Sequence, residues 1–75
     1  MSSLPNVDGE AAVAAFKKLG FEVARVQGSH YILKKAGHVH LLSIPIHGNK
    51  PVKKGLLRTQ LRLAGITVEE LCGLL

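Results

Sequence analysis

The sequence has one cysteine, Cys72, no tryptophan, and only Phe16, Phe21 and Tyr31 as aromatic residues. A lone cysteine excludes an internal disulfide framework and a four-cysteine zinc site. So few rings force an aliphatic core, and at 47% hydrophobic the chain has material for one. That content also excludes a disordered tail. The longest apolar run is about six residues, far short of the roughly 20 that span a bilayer. No basic residue precedes an apolar stretch in residues 1–9, so no secretory signal is expected. The expected setting is a reducing cytoplasm, with no membrane contact. No P-loop, dinucleotide fingerprint, repeat or low-complexity segment is present, and no cofactor is expected. The 75 residues suffice for one small domain, 1–75, with residues 1–7 as a loose lead-in.

Acid is missing where base is dense. All five acids, Asp8, Glu10, Glu22, Glu69 and Glu70, lie outside residues 25–62. Inside stand Arg25, Lys34, Lys35, Lys50, Lys53, Lys54, Arg58, Arg62 and all four histidines. The net charge is +5. An unopposed central cluster builds a positive potential that suits a polyanion. A simply solvated basic surface is the plainer reading of the same charge.

The chain order reads as helix, three strands, helix and a short last helix. Asp8 can cap a helix over residues 10–19, with Lys17 and Lys18 late and Gly20 as the stop. Ala12, Ala15, Phe16 and Leu19 share its apolar face. Residues 21–26 alternate as a strand, with Phe21, Val23 and Arg25 on one side. Gln27, Gly28 and Ser29 signal a turn. Strands follow over 30–35 and 39–45, and the short links predict an antiparallel meander. A helix over 53–64 buries Leu57, Leu61 and Ala64 and shows Lys54, Arg58 and Arg62 on another face. Thr67 and Glu70 make a capping box for a helix over 68–74, which offers Val68, Leu71, Leu74 and Leu75 for packing. The expected class is α+β, a three-stranded antiparallel sheet packed by helices on one face.

Among candidate site residues, His30 begins a strand directly after a tight turn. An imidazole ordinarily titrates at about pH 6.5, so one held there can give or take a proton near neutrality. An ordinary strand histidine beside a hairpin is the competing reading. His38 and His40, two apart on extended chain, would share a side, but no third metal ligand lies nearby, so no metal is expected. His47 follows Pro45 in a loop, where it either contacts phosphate or water or caps a turn. Lys50, Lys53 and Lys54 lead into the second helix, whose free N–H groups attract phosphate. Arg58 and Arg62 would extend that patch. Ser29 and His30, adjacent in the chain, should not meet as a nucleophile and its base, and no acid is placed to orient the histidine. Cys72 is expected to be a small packing group.

Several pieces, in order, are familiar: Phe16-Lys17-Lys18-Leu19-Gly20-Phe21, Arg25-Val26-Gln27-Gly28-Ser29-His30-Tyr31, Ile44-Pro45-Ile46-His47, Lys54-Gly55-Leu56-Leu57-Arg58 and Ala64-Gly65-Ile66. The set resembles the HicA (YcfA-like) mRNA interferase toxins of toxin–antitoxin modules, over residues from about 10 to 75. The resemblance implies a double-stranded-RNA-binding-domain-like fold, α-β-β-β-α. It implies a type II toxin that cleaves mRNA without the ribosome, with the Gly-Ser-His histidine, His30, as catalytic residue. It also implies a HicB-type antitoxin that covers this histidine. Two positions depart from the family pattern. Leu63 stands where a glutamine is common before Ala-Gly, and Gln60 stands where an aliphatic residue is common.

RNA carries its own nucleophile, the 2′-hydroxyl. A metal-independent endoribonuclease therefore needs a base and cations. On this reading His30 moves the proton, with Gly28 and Ser29 forming the turn that positions it. Lys50, Lys53, Lys54, Arg58 and Arg25 bind phosphate. The rival classes are a non-catalytic RNA-binding module of the same fold and a domain whose basic face docks an acidic protein.

Overall fold

Asp8 starts the first helix as its position predicts: its carboxylate accepts from the Ala11 N–H at 2.8 Å. The computed structural model describes residues 3–75. Its elements run α1 (Gly9–Lys18), β1 (Glu22–Gln27), β2 (His30–Lys34), β3 (Leu42–Pro45), α2 (Lys54–Ala64) and α3 (Val68–Leu74). The strands form one antiparallel sheet in the order β1-β2-β3. This is the α+β, double-stranded-RNA-binding-domain-like order expected, with the extra C-terminal helix. The Thr67–Glu70 capping box closes in both directions, at 3.1 and 3.0 Å. No helix among the described residues is long and apolar enough to cross a membrane.

The core is aliphatic around one ring pair. Phe16 and Phe21 meet edge to face at 6.0 Å. Leu33, Leu42, Ile44, Leu57 and Leu71 are fully buried around them. Leu33 pairs with Leu42, and Tyr31 with Ile44, so these strand residues share the face that meets the helices. The helix faces fall as their periodicity predicts: Ala12, Ala15 and Phe16 on α1, Leu57 and Leu61 on α2, and Leu71 on α3 are buried. Leu75 does not join them and stays 53% exposed.

Four other expectations need correction. Residues 3–7 are not a loose lead-in. Leu4 and Val7 are buried in the core, and the Val52 N–H donates to the Val7 carbonyl at 2.7 Å. (Residues 1–2 of that lead-in lie outside the described residues.) The third strand begins at Leu42, not at Val39, so His38 and His40 lie in the β2–β3 connection. There His38 meets Phe21 edge to face at 5.3 Å, and its Nε2 donates to the Leu63 carbonyl at 2.7 Å. These contacts draw the segment over the core rather than along β2. The simple alternation of β1 fails at a bulge between Val23 and Arg25. After it Arg25 pairs with Ile32 and Gln27 with His30, which places Arg25 on the side of the sheet that carries His30. Cys72 is exposed on α3 rather than a small packing group.

Gln60, one of the two departures from the family pattern, is 4% exposed. Its Oε1 accepts from the Ser43 N–H at 2.9 Å and so ties α2 to β3. Gln60→Leu would leave that backbone donor unpaired in a half-buried position. We expect a loss of about 1–3 kcal/mol, read from the urea unfolding midpoint. An unchanged midpoint would show that the bond contributes nothing net.

Candidate nucleic-acid site

The β1–β2 turn places His30. Gly28 takes a φ of 57°, a left-handed conformation that glycine adopts without steric cost. His30 opens β2, the central strand, and is held on both sides: opposite Gln27 in β1 and opposite Pro45 in β3. The Ile46 N–H extends this pairing by donating to the Ser29 carbonyl at 2.7 Å. The backbone is therefore fixed while the side chain is exposed. The imidazole makes no hydrogen bond or ion pair with the described residues, so both ring nitrogens are open to a ligand.

A cavity of about 300 Å³ lies against this ring. His30, His47, Lys50 and Lys53 supply its polar walls, and Pro45, Pro51, Val52 and Leu56 its apolar surface. No carboxylate lines it. The cationic wall belongs to the segment between β3 and α2. A turn closed by the Lys50 N–H on the His47 carbonyl, 3.1 Å, shapes its start. The isolated bridge between Asp8 and Pro51 and the Val52–Val7 hydrogen bond pin its end to the chain's beginning. α2 then starts at Lys54 with Lys53 as N-cap and no side-chain cap. Its first N–H groups therefore add positive potential beside the lysines.

The expected site residues divide into groups. His30, Lys50 and Lys53 share the cavity. Lys54 is exposed on the first turn of α2 without lining it. Arg58 lines a separate shallow groove with Arg62, Leu61, Ile66 and Thr67. Arg25 is exposed on β1. Ser29 lies in the turn, with no base placed to activate its hydroxyl. His38 and His40 meet edge to face at 6.0 Å, and neither lines the cavity. Among the described residues, no group of three or more His, Cys, Asp or Glu side chains could hold a metal ion.

The residue that sequence reasoning undervalued is His47. The signal was in the topology: in an antiparallel meander, residues that leave the end of β3 come back beside the start of β2. Pro45 opposite His30 makes His47 a neighbour of that end of the sheet.

Compared with known families, residues 9–66, most of the chain, match the model described as the HicA toxin of bacterial toxin–antitoxin. No curated protein matches the chain.

Proposed function

The chain belongs to the HicA toxin family, and from that membership we propose that this toxin of a toxin–antitoxin module is an mRNA interferase working through His30. One observation carries the reading: an exposed imidazole on a fixed strand faces a cavity walled by Lys50 and Lys53 and free of carboxylates.

The chemistry follows from RNA itself. The 2′-oxygen attacks the adjacent phosphorus, the bond from phosphorus to the 5′-oxygen breaks, and a 2′,3′-cyclic phosphate and a 5′-hydroxyl result. His30 takes the 2′-hydroxyl proton. Lys50 and Lys53 hold the phosphate and the charge that grows on its oxygens. Arg25, Lys54 and Arg58, on neighbouring surfaces, bind flanking phosphates and contribute salt-dependent affinity. The reaction takes place in the cytoplasm. The antitoxin, of HicB type, neutralises the toxin with an acidic surface that covers the cavity.

The test is direct. Purified protein is incubated with end-labelled RNA in EDTA. Fragments ending in cyclic phosphate are expected. Salt-sensitive retention of RNA without fragments would instead identify a binding module.

A further inference from the structure

Transesterification of RNA needs two proton transfers. One proton leaves the 2′-hydroxyl, and another reaches the departing 5′-oxygen. A single histidine does not serve both at once. We propose that His47 is the second proton-transfer residue, the acid that protonates the leaving 5′-oxygen while His30 acts as base. This rests on the ribonuclease reading above.

The argument is spatial. Pro45 lies opposite His30, the Ile46 N–H is bonded to the Ser29 carbonyl, and the chain then turns so that His47 and His30 wall the same cavity. Its volume, about 300 Å³, is at the small end of the range for ligand pockets, about 300–1,000 Å³. A phosphodiester group fits within such a space, and His30 and His47 both border it. Both histidines are exposed. Among the described residues no carboxylate lines the cavity, and the only other proton carriers on its walls are Lys50 and Lys53. Lysine ammonium groups ordinarily hold their proton to about pH 10, which makes them poor donors near neutrality. Imidazole is the side chain suited to the step.

The protons and bonds balance. His30 accepts the 2′-hydroxyl proton as the 2′-oxygen bonds to phosphorus. The bond to the 5′-oxygen breaks as His47 delivers its proton there. Solvent then restores both rings to their starting states.

The test replaces the 5′-oxygen at one linkage with sulfur. A thiolate leaves without protonation, since thiols ordinarily titrate at about pH 8.5, whereas an alcohol gives up its proton only at far higher pH. His47→Ala should slow cleavage of ordinary RNA by about 10²–10⁴-fold. On the sulfur-linked substrate its rate should return to within about tenfold of the intact protein. His30→Ala should stay slow on both. His47→Gln, which keeps hydrogen-bonding capacity without titrating, should behave as His47→Ala does. An unchanged rate for His47→Ala on ordinary RNA overturns the proposal and leaves the ribonuclease reading intact. A loss that sulfur does not restore also overturns it, because that is the signature of a phosphate contact. If the intact protein cuts neither substrate, the ribonuclease reading itself fails.

Discussion

His30→Ala yields a protein that folds, holds RNA and cuts it about 10²–10⁴-fold more slowly than the unaltered chain. Each part of this expectation has its own support. Folding is spared because the side chain is exposed and makes no hydrogen bond with the described residues. Surface changes of this kind move stability by about 0.5 kcal/mol or less. RNA retention should be spared because the substitution leaves untouched the cations proposed to provide it: Lys50 and Lys53 in the cavity, with Arg25, Lys54 and Arg58 outside it. Only proton transfer is removed. Single-turnover cleavage beside a gel-shift titration separates the two quantities. Cleavage at the original rate would refute the role of this histidine. Cleavage and binding lost together would mean that the ring serves to hold the strand.

Gly9→Val strikes the fold where the site is assembled. Gly9 is the first residue of α1 and is buried against the end of β3. A Cβ built there meets the Pro45 carbonyl oxygen, with Ile46 Cδ1 at 2.6 Å and Ile46 Cα at 3.1 Å. Two of these atoms are backbone and cannot rotate away. Overpacking of this kind costs about 1–3 kcal/mol, occasionally more. For 75 residues the whole stability is on the order of 4–11 kcal/mol, so the loss is a large share of it. The melting temperature should fall by about 4–8 °C for each kcal/mol lost. Because Pro45 lies opposite His30 and leads to His47, activity per folded molecule should fall as well. Even Gly9→Ala should show the effect in weaker form. A melting curve that does not move for either variant would contradict this close approach of helix and strand.

The legible parts of the fold were those written in local chemistry. Asp8 three residues before Ala11, and Thr67 three before Glu70, announce helix starts because the bonds they make are local. The turn at Gly28 and the position of His30 at a strand start were readable for the same reason. What stayed hidden depends on distant partners. Leu4 and Val7 are too few to set a period, and their burial comes from a core built later in the chain. The bulge after Val23 has no glycine to mark it, yet it decides which side of the sheet Arg25 takes. Residues 39–41 fall within the expected third strand, but His38 beside them is drawn off by Phe21 and by the end of α2. The cationic group was legible as a composition, and not as a division between the cavity, the α2 groove and β1. Gln60 was visible as an unusual residue, and only its bond to Ser43 explains it.

The tie between Val7 and Val52 also bears on how the protein is born. On the ribosome the pairing of β1 with β2, neighbours in the chain, is free to form before β3 and the later helices arrive to pack on it, and it carries His30 with it. The lysine wall cannot take its place until residues near 52 return to the segment made first, and such long-range closures come late. A half-made chain therefore displays an imidazole with nothing to hold a phosphate beside it. On the ribonuclease reading, the messenger being translated is out of danger until the polypeptide is well past its middle.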